Sequence, residues 1–177
     1  MASAFGHSLA AYTIAKTAKG PRLTGKLAFW SALSGVLPDA DVISFRFGIP
    51  YGDPLGHRGL THSLLFGALW SLLVARLVFR REERRGTTFF VLLLASYSHG
   101  LLDAMTTGGQ GVGFFIPFSN ERYFFPFRPI EVSPIGVTRF FDQARAILAS
   151  ECVWIGVPCL IVLFAARIFW RRRTARD

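Results

Sequence analysis

Long apolar runs alternate along the chain with short polar islands, and the spacing of the breaks predicts helices. Ser3 to Thr17 is apolar on most sides, with His7 near its start and Lys16 near its end; Lys19-Gly20-Pro21 stops it. Lys26 to Leu37 predicts a short second helix, ended by Pro38. Asp39 to Gly59 is polar and contains glycine and proline, and is expected as a loop. Thr61 is the expected N-cap of a third helix, with His62 in its first turn. The run Ser63 to Phe79 is interrupted only by Arg76, and Arg80 to Gly86 is a charged turn. Thr87 to Met105 predicts a fourth helix, and Thr107 to Ser133 is irregular and rich in glycine and proline. Ile147 to Trp170 predicts a last helix long enough to cross a bilayer, although it contains Glu151 and Arg167. The pattern therefore implies an all-α fold: a membrane-embedded bundle of about five helices with a long irregular outer loop. No internal repeat divides residues 1–177, which are expected to form a single domain.

Composition supports the membrane setting. Apolar residues make up 51% of the 177, with 18 Phe, and mean hydropathy is +0.38, above ordinary soluble values. The net charge is +9, but its placement matters more. Fourteen of the 20 basic residues fall in three clusters: Lys16, Lys19, Arg22 and Lys26; Arg76, Arg80, Arg81, Arg84 and Arg85; and Arg167, Arg171, Arg172, Arg173 and Arg176. Each flanks an apolar segment, as cytoplasmic flanks do. That arrangement argues against specific nucleic-acid binding, which wants an aromatic-interleaved basic face. Cys152 and Cys159 lie about 10 Å apart along one helix, too far to bridge.

Placing the basic clusters in the cytoplasm assigns every helix a direction. His7, Asp39, Asp41, His57, His62 and Asp103 then fall at the outer ends of helices or in outer loops, with His99 one turn deeper. All four histidines of the chain thus reach one depth, although their positions played no part in setting the topology. Histidine and aspartate are costly to bury in lipid or a dry core, and both ligate divalent metals. His99 and Asp103, four apart, share one helix face. Asp39 and Asp41 are close enough to repel unless a cation or proton lies between them. The expected metal ligands are His7, Asp39, Asp41, His57, His62, His99 and Asp103. They suit one or two divalent ions, zinc before manganese or iron, since no thiolate joins them. One of Asp39 and Asp41 would bind metal and the other act as general base; Asp41 is the expected catalytic residue. Arg58 is expected either to clamp a substrate oxyanion or to pair with Asp39, Asp41 or Asp53. Phe114 to Phe118 and Tyr123 to Phe127 are expected at the outer interface, as an aromatic belt or as a lid contacting lipid.

Leu37-Pro38-Asp39-Ala40-Asp41, His57-Arg58-Gly59 with Thr61-His62-Ser63, and Ser98-His99-Gly100-Leu101-Leu102-Asp103 with Thr106 and Gly108 resemble the YdjM-like family. That family is described as LexA-regulated, membrane-bound, predicted metal-dependent hydrolases. Arg122-Tyr123-Phe124-Phe125-Pro126 and Ser133-Pro134-Ile135-Gly136 also look like its later segments. More remotely, the order His7, Asp39 or Asp41, His62, then His99 with Asp103 is similar to the zinc-dependent phospholipase C and P1 nuclease fold. The chain departs from that pattern in having no histidine after His99.

These resemblances imply a metal-dependent hydrolase of a bacterial inner membrane, its site facing the non-cytoplasmic side. It would act on a phosphoester such as a phospholipid through a metal-activated water. The alternative is a non-catalytic integral membrane protein whose metal is structural or is handled as cargo. The implied partners are membrane lipid and the phosphoester substrate.

Overall fold

The computed structural model describes residues 1–175; Arg176, last of the third basic cluster, lies outside them. Six α-helices follow in order: α1 Ala4–Lys19, α2 Gly25–Val36, α3 Leu64–Leu77, α4 Arg85–Ala104, α5 Val137–Glu151 and α6 Val157–Thr174. Ser3, Thr24 and Ser63 cap α1, α2 and α3 by accepting from the backbone N–H of Gly6, Leu27 and Phe66. The cap of α3 is therefore Ser63 and not Thr61; His62 ends a separate 3₁₀ turn, Leu60–His62, just before the helix. The first part of the stretch expected as a loop after Pro38 is a 3₁₀ segment, Leu37–Phe47, with proline in its first turn, where its missing N–H costs nothing, and turns follow it to Gly59. The expected last helix is longer than its apolar run. α5, polar enough to escape a hydropathy reading, continues through one π turn (Cys152–Gly156) into α6.

Helix α1 lies at the centre, packed on α2, α4 and α6, while α2 and α3 both pack on α4. Small residues let the helices approach closely. At Gly35 of α2 an added Cβ would lie 2.7 Å from Ala11 Cβ and 3.1 Å from the His7 carbonyl oxygen of α1. One apolar core, of Ala15, Leu27, Val74, Ala75, Phe79, Val91 and Leu92, lies at the end away from the histidines, and a smaller one, of Ala2, Ile130, Ile155 and Cys159, lies beside them. At the former end Trp170 of α6 donates its indole N–H to the Thr17 carbonyl at 3.0 Å. The Trp170 ring packs on Gly20, whose φ of +54° suits glycine and where a side chain would strike the indole.

The continuous helix from Thr138 to Thr174 is long and apolar enough to cross a membrane. Its outer face is bare: Leu160, Ile161 and Phe164 are each about two-thirds exposed. Large apolar side chains also face outward on α1 (Phe5), α2 (Phe29), α3 (Leu69, Leu73, Leu77) and α4 (Phe90, Leu94). An apolar surface that encircles a bundle is an interface with lipid or with another apolar partner, not with water.

The chain direction sorts the two ends of the bundle. α1 and α3 run from the histidine end toward Lys16 and Lys19 and toward Arg76; α2 and α4 run back toward Asp39 and Asp103. Gly35→Ala is expected to destabilise the bundle by about 1–3 kcal/mol through overpacking. Gly25→Ala, with open space around it, is expected to be neutral or slightly stabilising. Thermal unfolding in detergent compares the two, and equal melting temperatures would contradict the close packing of α1 on α2.

Candidate metal centre

Five side chains from four segments meet where α1 begins and α4 ends. His7 comes from the second turn of α1, Asp39 from the 3₁₀ segment after α2, His62 from the turn before α3, and His99 and Asp103 from the last turns of α4. His7, His99 and Asp103 are fully buried, with Asp39 and His62 nearly so. Their donor atoms face one point. His62 Nε2 lies 3.0 Å from His99 Nε2, 3.6 Å from Asp39 Oδ1 and 3.6 Å from Asp103 Oδ2. His99 Nε2 lies 3.4 Å from Asp39 Oδ1 and 3.9 Å from Asp103 Oδ2. His7 stacks on His99, ring centroids 3.8 Å apart, and its Nε2 sits 3.3 Å from Asp103 Oδ1.

These spacings fit a metal. Bonds of about 2.0–2.1 Å to a tetrahedral ion imply donor-to-donor edges of about 3.3–3.4 Å, within the observed spread. Asp39 Oδ1 and His7 Nε2 are buried without an aligned hydrogen-bond partner, while Asp103 Oδ2 faces the Arg58 Nε at 3.0 Å. Unpaired buried polar atoms are rare and call for an explanation, and a shared cation supplies one. Asp39, His62, His99 and Asp103 form a set with the mutual closeness a single ion requires. Two imidazoles and two carboxylates suit a divalent ion that accepts nitrogen and oxygen ligands.

The tautomers follow from the partners. His99 Nδ1 lies 2.8 Å from the Gly35 carbonyl, which can only accept, so Nδ1 carries the proton and the Nε2 lone pair faces the site. His62 Nδ1 faces Asp41 Oδ2 at 3.2 Å, which leaves Nε2 toward the site in the same way.

Asp41 points away from Asp39. Two residues along a 3₁₀ turn rotate a side chain by about 240°, so the pair diverges. Asp41 Oδ1 lies 2.6 Å from His57 Nδ1. Its Oδ2 accepts from the Arg58 backbone N–H at 3.1 Å and the Thr61 hydroxyl at 2.7 Å. Asp41 and His57 therefore stand behind His62; together the three form a second close group of possible donors. Burial would raise Asp41, yet the hydrogen bonds from His57 and His62 hold it well below the usual carboxylate range. Burial would also raise Asp39, but the imidazoles of His99 and His62 hold it far below that range. For His62, burial alone would lower the pKa; the carboxylates of Asp103, Asp39 and Asp41 instead raise it to about 10.

Arg58 departs from the ion pairs expected of it. Its Nε lies 3.0 Å from Asp103 Oδ2, and the guanidinium also donates to the Gly108 carbonyl and Thr106 Oγ1, each at 3.0 Å. The side chain is fully buried, and the carboxylate it pairs with is Asp103 rather than Asp39, Asp41 or Asp53. Arg58 adopts a left-handed backbone, φ 60°, a conformation rare outside glycine and found at constrained sites.

Other contributors carry no sequence signal of this role. The Ala2 backbone N–H donates to Asp103 Oδ1 at 2.8 Å. Glu151, in the middle of the spanning helix, accepts from the Ser3 backbone N–H and hydroxyl and so anchors the start of α1. Arg122 donates to the carbonyls of His57, Tyr51 and Asp53, tying the irregular segment over the site. That segment exposes Phe115, Phe118, Phe125 and Phe127.

The YdjM inner membrane protein family matches residues 1–174. The inner membrane protein YbcI of Escherichia coli (strain K12) is 40% identical over 151 residues, which cover 84% of this chain and 86% of that protein. No solved structure matches the chain. The match runs through every segment that supplies the buried histidines and aspartates as well as the spanning helix, and the chain belongs to the YdjM family of inner membrane proteins.

Proposed function

We propose that this protein is a membrane-bound, metal-dependent hydrolase that acts on a phosphoester of the phospholipid kind. The observation that carries the reading is the convergence of Asp39 Oδ1, His62 Nε2, His99 Nε2 and Asp103 Oδ2 on one point without a thiolate among them. These four would hold the metal, zinc before manganese or iron, with His7 Nε2 beside them. A divalent ion there would supply Lewis acidity and a water of lowered pKa. The chain's own residues do the rest. Asp41, His57 and Thr61 hold the His62 ring in register. Arg58 and the Ala2 N–H fix Asp103. Asp41 has both oxygens engaged, so the proton-accepting role expected of it passes to Asp39, whose Oδ2 accepts no hydrogen bond among the described residues and lies 3.9 Å from His7 Nε2. The phosphoester class rests on the membrane setting and on the remote resemblance to phospholipase C. The arginine clusters lie at the opposite end, which supports a site on the non-cytoplasmic side.

The full burial of His7, His99 and Asp103 favours a second reading, a closed structural metal site in a non-catalytic membrane protein. Chelation followed by re-addition of zinc separates the two. A hydrolase stays folded, loses phospholipid cleavage and regains it with zinc. A structural site unfolds on chelation and cleaves nothing in either state. Asp39→Asn is expected to lower turnover by about 10²–10⁴-fold, and Asp41→Asn to weaken metal affinity by about 10–100-fold; unchanged values in both would contradict the assigned roles.

Metal uptake is also expected to release protons. With its pKa raised to about 10, metal-free His62 carries a proton at neutral pH, and that proton must leave before Nε2 can bind a cation. Affinity therefore falls as pH falls. Calorimetric zinc titration in buffers of different ionisation enthalpy is expected to show at least one proton released per metal near pH 7; no release would contradict the geometry around His62.

A further inference from the structure

A cavity of about 490 Å³ opens between α1 and α6 at the basic end of the bundle, remote from the metal centre. Lys16 of α1 and Arg167 and Arg171 of α6 line it together with Tyr12, Pro21 and Trp170. Lys16 is nine residues beyond His7 on α1, about 13 Å further along the helix. None of the three cations has a carboxylate within ion-pair distance among the described residues. Three cations around one concavity, with no carboxylate beside them among the described residues, make a site that favours an anion. The cavity also has an apolar wall, from Leu163 and Ala166. Just beyond it runs the bare face of α6, with Leu160 and Phe164 exposed. Tyr12 and Trp170 add aromatic rings to the cavity wall, a residue type enriched at the bilayer boundary.

A charged socket continuous with an apolar stripe matches one kind of ligand: a phosphate joined to acyl chains. We infer that this cavity binds the headgroup of an anionic phospholipid from the cytoplasmic leaflet, with its chains lying along α6. Basic pockets between membrane helices on the cytoplasmic side are suited to such headgroups. The lipid would bridge α1 and α6 at the end opposite Glu151 and Ser3, and so hold the spanning helix against the bundle at both ends. It is distinct from any substrate, since the metal centre lies at the other end, and it does not rest on the site's being catalytic.

The experiment uses the full chain, delipidated in detergent and titrated with phosphatidylglycerol, phosphatidylcholine or inorganic phosphate, with thermal unfolding and native mass spectrometry as readouts. Phosphatidylglycerol is expected to raise the melting temperature and to be retained as a bound lipid, with phosphatidylcholine and phosphate without effect. The Lys16→Gln/Arg167→Gln/Arg171→Gln variant is expected to lose affinity by roughly tenfold or more. Arg167→Gln alone, which removes one exposed charge, is expected to lose part of it and serves if the triple variant fails to fold. Arg80→Gln/Arg81→Gln/Arg84→Gln, equal in charge lost but outside the cavity, is expected to bind as the wild type does. Equal losses in the two triple variants would show general surface attraction and overturn the site. Stabilisation by inorganic phosphate alone would show a free-anion site and overturn the lipid assignment, as would equal binding of phosphatidylcholine.

Discussion

The Asp103 carboxylate is the constraint on which the rest of this structure depends. It is fully buried near the end of α4, where an unpaired charge would cost several kcal/mol. Arg58, His7, His62 and the Ala2 backbone N–H all turn toward it. Those partners come from the start of the chain, from the strained turn before α3 and from α1. Satisfying one carboxylate thus fixes where three distant segments lie. Asp39 Oδ1 and His7 Nε2, which remain without an aligned partner after this arrangement, face the same site as Asp103. A cation would finish a neutralisation that the protein groups leave incomplete.

The same bundle separates its chemistry by ends. At one end, imidazoles and carboxylates are buried and hold one another in orientation; at the other, arginines and lysines ring the helix termini around an apolar core. The spanning helix connects the two through Glu151 on Ser3 and Trp170 on Thr17. Around the middle, the exposed apolar faces leave lipid as the natural surround, in agreement with a family of inner membrane proteins. Metal chemistry at one end and anionic lipid at the other would be two demands placed on one α1–α6 contact.

Much of this was legible in residue order. The pairing of His99 with Asp103 follows from helical spacing, and the common depth of all four histidines follows from the positive clusters. The choice between Asp39 and Asp41 did not follow, because a 3₁₀ turn in place of an irregular loop sends the two carboxylates to opposite sides. The partner of Arg58 was out of reach for a different reason: Asp103 lies 45 positions later, and nothing local marks a fully buried guanidinium. Helix α5 escaped notice because Arg139, Asp142 and Arg145 break its apolar pattern, and Thr61 was misplaced as a cap because its hydroxyl is spent on Asp41.

X-ray absorption spectroscopy on zinc-loaded, detergent-purified protein tests the central claim most directly. The expected first shell is nitrogen and oxygen only, at about 2.0–2.1 Å, with the outer-shell scattering of two or three imidazoles that disappears in part when His99 is replaced by alanine. A shell containing sulfur, or one unchanged by that replacement, would contradict it.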